Sequence, residues 1–212
     1  MATAVLLLWG LSLAAGLTGT WDWYSPSPYL LVLAQTHLYA GVFITAHDAM
    51  HGTIHPNRRV NTTIGWLCAT LFAYNWYPRL LKNHHAHHRH VGTADDPDVY
   101  PAPLPVWYFR FLKEYLTWPQ FVLMALTFNG LKFVFPVEHV ILFWMMPAVL
   151  ATFQIFYFGT YVPHRAAPDN PHHSRTLKRN HLWAFLSCYF FGYHYEHHAS
   201  PGTPWWLLWR LK

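Results

Sequence analysis

The stretch KNHHAHHRHVGTADDPD, from Lys82 to Asp98, holds five histidines within seven residues and then three aspartates. A purification tag lies at a terminus and runs without interruption, whereas this cluster lies in mid-chain and is interrupted. Two interpretations remain, a set of metal ligands and a charged, solvated loop. The positions of the other histidines help to decide between them.

The His-x-x-His-His spacing of the central cluster recurs near the end of the sequence, and a His-x-x-x-His pair precedes it. Residues three or four apart on a helix share a face, so each pattern brings several imidazoles to one side. Adjacent histidines at the last two positions fan out, which suits a pair of metal ions more than a single ion. One pattern alone arises by chance, but three together favour metal ligands over surface histidines. The patterns are His47 and His51; His84, His87 and His88; and His194, His197 and His198.

The composition indicates a membrane protein. Of the 212 residues, 53% are hydrophobic and only 11% are charged, whereas a soluble domain carries about 25% charged residues. The net charge of +5 does not indicate nucleic-acid binding, because the basic residues lie at the ends of apolar segments and form no aromatic-interleaved patch. Cys68 and Cys188 lie in apolar stretches without metal-type spacing, so they predict no disulfide framework.

The histidine groups constrain the topology. If all of them serve one site, they lie on one face of the membrane, and an even number of crossings separates each group from the next. A spanning helix needs about 20 apolar residues, and two apolar segments, Ile64–Tyr77 and Leu182–Tyr193, are shorter. The prediction is an all-α integral membrane protein with four transmembrane helices in two hairpins and interfacial or re-entrant helices at the two short segments. The predicted spans are Ala2–Thr18, Tyr29–Thr45, Phe121–Phe135 and Val140–Val162.

The basic residues predict the orientation of these spans in the membrane. Of the 14 Lys and Arg residues, all except Lys132 fall on the histidine side of the predicted topology. The positive-inside rule therefore places the histidine face in the cytoplasm. The N-terminal segment, which lacks a positively charged start and a small-residue cleavage site, is interpreted as the first span and not as a signal peptide.

The type of ligand limits the choice of metal. Nitrogen-rich sites without thiolates suit iron, copper, zinc or nickel, and eight or more imidazoles exceed what one tetrahedral zinc ion needs. Two irons with open positions for dioxygen fit better, although the number of ligands also allows a pair of zinc ions. His164 follows the fourth predicted span on the correct face and is a further candidate ligand. His85 and His90 lie outside the spacing, and His37, in mid-span, is interpreted as a packing residue.

Carboxylates are few, and several lie inside or beside the histidine patterns. Metal-binding imidazoles commonly donate their second N–H to a carboxylate, which fixes the ring orientation. Asp48 and Glu196 lie within patterns, and Asp96 and Asp98 follow the central cluster. For the last two, a Pro-containing turn or an ion pair with an arginine is the alternative. The residues predicted to orient histidines are Asp48, Asp98 and Glu196.

Four stretches resemble a known family: AHDAMHGTIHP at Ala46–Pro56, the central stretch at His84–Asp98, FGTYVPHR at Phe158–Arg165, and FLSCYFFGYHYEHHASPGTPWW at Phe185–Trp206. Together they resemble the membrane fatty acid desaturase and hydroxylase superfamily of di-iron enzymes. Within it, the bacterial-type β-carotene ketolases are the closer match, from about Tyr29 to Trp209. The resemblance implies a single desaturase-like domain over residues 1–212.

The resemblance further implies an O2-dependent di-iron oxygenase of carotenoid biosynthesis. Two successive hydroxylations at the 4-position of the β-ionone ring of β-carotene give a geminal diol, which loses water to form a ketone of the echinenone or canthaxanthin type. It also implies a carotenoid substrate from the bilayer of a bacterial inner membrane or a thylakoid, and a separate electron donor such as reduced ferredoxin. The iron ligands carried over are His47, His51, His84, His87, His88, His164, His194, His197 and His198.

The same sequence features allow two alternative functions. A fatty-acyl desaturase or hydroxylase would use the same scaffold, because spacing alone does not separate the substrates. A histidine-rich metal transporter is disfavoured, because the predicted spans contain few polar residues.

A carotenoid substrate needs an aromatic-lined tunnel, and ordinary packing is the alternative role for each aromatic ring. The aromatic residues near the histidine face are Trp66, Phe72, Tyr74, Trp76, Tyr77, Phe158, Tyr161, Tyr189, Phe190 and Phe191.

Overall fold

The structure, a computed structural model, describes residues 1–166, 168–177 and 180–212. Lys178 and Arg179, two of the basic residues assigned above to the cytoplasmic side, lie outside the described residues. In the described parts the regular structure is helical, with one isolated β-bridge between Thr176 and Tyr193. The helices are α1 (Ala2–Thr18), α2 (Ser27–Met50), α3 (Arg58–Leu71), α4 (Tyr77–His90), α5 (Leu104–Tyr115), α6 (Trp118–Leu131), α7 (Val137–His164), α8 (His181–Cys188), α9 (His194–Ala199) and a final 3-10 helix (Trp205–Arg210).

Within the described residues, two helices have the length and apolar composition of a membrane span. They are α2, with 24 residues, and α7, with 28 residues. The other two predicted spans correspond to shorter helices, since α1 has 17 residues and α6 has 14. The two segments predicted not to span do not form long helices either, because α3 ends at Leu71 and α8 at Cys188. The all-α architecture is confirmed, and two long apolar helices stand where four spans were predicted.

Local sequence explains where the histidine-bearing helices begin. Pro78 lies in the first turn of α4, where its missing N–H removes no helical hydrogen bond. Before α9 the chain reverses through Tyr189 and Phe190, which have left-handed φ angles of 46° and 62°. This reversal follows the end of α8 and leads into His194 at the start of α9.

Helix α2 is the centre of the fold. It packs against α1, α3 and α7, and its side chains Tyr39, Ile44 and His47 are almost completely buried. Gly41 allows a close approach, because a Cβ there would collide with the ring of Tyr189. The buried end of α2 that carries His47 is therefore fixed from several sides.

The outer faces of the apolar helices are exposed and hydrophobic. Soluble monomers rarely expose large apolar patches, so these faces and the two long apolar helices indicate association with a membrane. The exposed apolar side chains of α1, α2, α6 and α7 include Leu7, Leu8, Leu11, Leu30, Leu33, Leu123, Leu126, Val149, Leu150 and Phe153.

Helix α7 is not regular along its length. Its hydrogen bonding becomes π-helical at Ile141–Met145 and again at Tyr157–Tyr161. Such π-helical turns inside α-helices occur frequently at functional sites. The second turn ends three residues before His164, where the helix stops.

Candidate metal centre

Nine histidines lie together in two adjacent groups, and they are the nine that the sequence analysis singled out. In each group the potential ligand atoms all lie within 4.8 Å of one another. The five-histidine cluster consists of His47, His51, His84, His88 and His197, and the four-histidine cluster consists of His87, His164, His194 and His198. The two clusters adjoin, because the rings of His88 and His198 stack with their centroids 4.3 Å apart.

Four helices bring these side chains to one end of the bundle. The end of α2 provides a pair, the end of α7 provides one, and α4 and α9 provide three each. Each of the latter two helices serves both clusters, because adjacent residues on a helix point in different directions. Thus His87 and His88 enter different clusters, and so do His198 and His197.

The spacing of the ring nitrogens matches that of ligands around an ion. The Nε2 atoms are 2.6 Å apart in His51 and His84, 3.0 Å in His88 and His197, 3.1 Å in His87 and His198, and 3.0 Å in His194 and His198. Two nitrogens that each lie about 2.1 Å from one ion at right angles are about 3.0 Å apart. Hydrogen bonds between the rings do not satisfy all of these atoms, because a neutral imidazole has a single N–H.

Four buried ring nitrogens of the clusters lack a partner within the described residues. Two of them are Nδ1 of His194 and Nδ1 of His198. The other two, Nε2 of His47 and Nε2 of His164, are buried in the clusters without a hydrogen bond. Leaving such an atom unsatisfied costs about 1–3 kcal/mol. On the opposite side of its ring, His164 donates from Nδ1 to the carbonyl of His173 at 2.9 Å, which leaves the Nε2 lone pair for a metal. The residues present therefore fit bound metal ions.

Asp96 orients one histidine of the four-histidine cluster. Its buried carboxylate accepts from Nδ1 of His87 at 2.9 and 3.1 Å. Burial lowers the pKa of His87, but the hydrogen bond to Asp96 and the charges of Asp98 and Asp96 outweigh it, so this pKa is raised. Burial raises the pKa of Asp96, and the bond from His87 outweighs that effect and lowers it. By contrast, burial lowers the pKa of His84 and His197 and keeps these rings in the neutral form that binds metals.

The structure corrects the prediction for Asp98. Asp96, and not Asp98, forms the hydrogen bond to His87. The Asp98 carboxylate accepts from the Tyr115 hydroxyl, and its carbonyl accepts from Nε1 of Trp107 at 2.6 Å. Burial raises the pKa of Asp98 to about 6. Asp98 therefore fastens α5 to the loop that follows α4.

The two carboxylates inside the histidine patterns differ in their contacts. Asp48 lies 3.4 Å from Nδ1 of His47, a long hydrogen bond, and also accepts from the backbone N–H of Trp205 at 3.0 Å. Glu196 instead accepts from the hydroxyl of Thr176. Among the contacts of the described residues, Glu196 therefore ties α9 to the preceding loop and does not orient a histidine by a hydrogen bond.

Within the described residues, the rings of two other histidines lie beside the clusters without belonging to either. The ring of His85 lies 6.3 Å from those of His51 and His84, and the ring of His172 lies 5.9 Å from that of His198. His90 is exposed at the end of α4. His172 has no helical spacing to any other histidine, so no sequence signal would have placed it here.

A largely apolar cavity adjoins the metal centre. His47, His84, His87 and His194 form part of its wall, and the aromatic part consists of Phe43, Phe72, Phe111, Tyr115 and Phe191. Of the aromatic residues considered from the sequence, only Phe72 and Phe191 line this cavity. The others that line it come from α2 and α5, and only the packing of these helices brings them to the histidines.

Sequence comparison finds relatives similar to most of this chain. The profile of the fatty acid desaturase family matches residues 22–129 and 106–212. A β-carotene ketolase of Paracoccus sp. (strain PC1) is 40% identical over 194 residues, which cover 87% of this chain and 80% of the relative. A second, from Paracoccus sp. (strain N81106 / MBIC 01143), is 40% identical over 184 residues, or 83% of this chain and 75% of the relative. A zeaxanthin 4-ketolase of Chlamydomonas reinhardtii is 37% identical over 235 residues, or 98% of this chain and 51% of the relative.

Proposed function

This chain belongs to the fatty acid desaturase family, and from that premise we propose that it is a β-carotene 4-ketolase. The observation that carries the proposal is the pair of histidine clusters in a chain 40% identical to named ketolases over most of its length. The reaction converts the methylene at the 4-position of a β-ionone ring to a ketone. β-Carotene is the substrate, and products are of the echinenone and canthaxanthin type.

Two iron ions are the proposed cofactor, one held by each histidine cluster. Nine imidazoles exceed the four ligands of a structural zinc ion, and nitrogen ligands suit iron. When bound, the irons supply the activation of dioxygen and the cleavage of an unactivated C–H bond. The protein supplies the positions of the ligands, the binding of the substrate and the exclusion of water.

Neighbouring groups keep the histidines in the metal-binding tautomer. Asp96 holds the proton of His87 at Nδ1, and the carbonyl of His173 does the same for His164. In both rings the Nε2 lone pair then faces the four-histidine cluster. We assign Asp48 the same role toward His47, at the longer distance given above.

The cavity beside the clusters is the proposed site of the β-ionone ring. Its aromatic and aliphatic lining matches a hydrocarbon ring, because such a surface gains by removing apolar area from water. Phe191 connects the cavity to the metal centre, since its ring lies 4.6 Å from that of His47 and stacks on that of His197 at 5.6 Å. Bound here, the ring presents its methylene group to the histidine wall.

The stoichiometry requires an external reductant. Each hydroxylation consumes one O2, two electrons and two protons, and it yields one C–OH group and one water. A second hydroxylation at the same carbon gives the geminal diol, and loss of water from the diol gives the ketone. A separate donor such as reduced ferredoxin therefore supplies four electrons for each keto group.

The proposed topology is integral to the membrane, with four crossings and the metal centre on the cytoplasmic face. The apolar outer faces of α1, α2, α6 and α7 support it, and so does the concentration of Lys and Arg on the histidine side. Attachment of a cysteine-reactive probe to single cysteines introduced at Tyr24 and His90 would test it. Both positions are exposed, and the proposal requires them to react from opposite sides of the membrane.

Pigment analysis tests the function. The chain is expressed in a β-carotene-accumulating bacterium with ferredoxin and its reductase, and His197→Ala serves as the inactive control. We expect keto-carotenoids from the wild-type chain and unchanged β-carotene from the control. If β-carotene persists while the chain carries iron, the ketolase proposal fails, and an altered fatty-acid profile would favour the desaturase alternative. About two irons per chain supports the cofactor assignment, whereas zinc alone would revive the transporter alternative.

A further inference from the structure

The two histidine clusters differ in their access to solvent. All four members of the four-histidine cluster are buried. In the five-histidine cluster, His51, His84 and His88 are only partly buried. The five-histidine cluster is therefore the more accessible of the two to an external electron donor.

One face of α4 lies directly outside that cluster. Lys82, His85 and Arg89 occupy positions i, i+3 and i+7 of this helix and share a face. Lys82 and Arg89 are exposed, and His85 is partly exposed. The ring of His85 lies 6.3 Å from those of His51 and His84. We name these three residues the α4 basic face.

Along the chain, the segment that carries this face has charge of one sign. Residues 49–94 contain no Asp or Glu, and their positive charge equals the net charge of +5 of the whole chain. Neither Lys82 nor Arg89 forms a salt bridge with a described residue. The first acidic residue beyond the segment is the exposed Asp95. In space, Glu114 of α5 lies beside α4, where its carbonyl accepts from Nε of Arg79 and Nδ2 of Asn83. The cations of the segment are Arg58, Arg59, Arg79, Lys82 and Arg89.

We propose that the α4 basic face is the docking surface of an acidic one-electron carrier protein, which delivers electrons to the five-histidine cluster past His85. The inference rests on the proposed function, which needs two electrons for each O2 reduced. At each docking event the carrier is oxidised by one electron, so it docks twice for each hydroxylation. Complementary charge increases the rate of such an encounter and fixes its orientation, and salt weakens it.

The test separates docking from chemistry by means of two reductants. The full chain in phosphatidylcholine nanodiscs is supplied with reduced [2Fe–2S] ferredoxin or with reduced methyl viologen, which needs no docking surface. The variant is Lys82→Glu/Arg89→Glu. The matched control is Lys132→Glu, an exposed cation that is remote along the chain from the nine clustered histidines. A direct readout, the Kd of ferredoxin for the immobilised nanodiscs, does not depend on turnover.

For the double variant we expect about a tenfold rise in the Kd and in the ferredoxin KM, which corresponds to about 1.4 kcal/mol. The ratio of the ferredoxin-driven to the viologen-driven rate falls, and the wild-type Kd rises with salt. An unchanged Kd and an unchanged ratio overturn the docking surface. A second result would also overturn the docking surface: the rate of the wild-type chain depends on added phosphatidylglycerol, the variant loses this dependence, and the ferredoxin Kd is unchanged. That result assigns the α4 basic face to lipid binding. If neither reductant supports ketone formation by the wild-type chain, the proposed function fails, and the Kd still decides the docking surface.

Discussion

The substitution Asp96→Asn removes a buried charge beside His87 while it keeps the shape of the side chain. In the native protein Oδ1 of Asp96 accepts from Nδ1 of His87 at 2.9 Å and from the backbone N–H groups of Asp98 at 2.9 Å and Val99 at 3.2 Å. Oδ2 accepts from the same Nδ1 at 3.1 Å and from the N–H of Gly92 at 2.9 Å. Every partner is thus a donor.

An asparagine amide cannot satisfy this set, because it has one acceptor oxygen and one NH2 group. In either orientation the NH2 group faces at least one backbone N–H. The ring of His87 can accept from the amide only if its proton moves from Nδ1 to Nε2. That shift removes the lone pair that a metal in the four-histidine cluster requires.

The expected magnitude follows from the lost contact. A hydrogen bond to a charged group contributes about 1.5–3 kcal/mol, which is about 10- to 150-fold in an equilibrium constant. Loss of a carboxylate partner of a metal-binding histidine typically costs about 10- to 100-fold in affinity or activity. We therefore expect the metal affinity of the four-histidine cluster to fall by about 10- to 100-fold.

The assay measures iron per chain after dialysis against a graded series of chelator concentrations, together with the rate of ketone formation. Asp95→Asn is the matched control, because it makes the same charge change one residue away at an exposed side chain. If Asp96→Asn retains iron and rate within the scatter of Asp95→Asn, the assigned role of Asp96 is refuted.

Three further perturbations probe the site. In Gly159→Ala the new Cβ would lie 2.8 Å from the ring of Phe191, which packs on the five-histidine cluster. We expect the free energy of unfolding to fall by about 1–3 kcal/mol, with a lower Tm in detergent and slower turnover. At Gly130 an added Cβ would meet no atom within 4 Å, so Gly130→Ala should lower neither the Tm nor the turnover rate. Equal effects of the two substitutions would contradict the packing argument. His88→Ala should lower the iron content while His90→Ala, at an exposed position, should not, and the reverse result would contradict the assignment of the clusters. Removal of the metal by a chelator should lower the Tm, because a ligand at 100 times its Kd contributes about 2.7 kcal/mol, and an unchanged Tm would argue against metal ions in the clusters.

The fold was predictable where the signal is local. The apolar runs predicted the helices around α2 and α7, and helical spacing grouped the histidines, because both properties depend on neighbouring residues. Helix α1 has the predicted bounds, Ala2–Thr18, but the bounds of α6 and the irregular hydrogen bonding of α7 were not predictable in this way. They depend on capping and packing, as in α6, where Thr117 and Gln120 form a capping box.

The site shows the same division at the level of single residues. The sequence places Asp96 and Asp98 two residues apart after the same cluster, and nothing local separates their roles. In the structure Asp98 turns to Tyr115 on α5, which leaves Asp96 for His87. Likewise Phe111 lies in a segment without histidines, and its place in the cavity wall follows only from the packing of α5.

The sequence by itself determined the chemical inventory: eight imidazoles at helical spacing, a ninth after the last long apolar run, few carboxylates and long apolar helices. Side-chain chemistry and helical periodicity are properties of residues close together in the chain. The tertiary structure alone decided which histidines share a cluster, because those contacts join residues separated by 33 positions for His51 and His84 and by 111 for His87 and His198. Only the packing of α2, α4, α7 and α9 fixes distances of that kind.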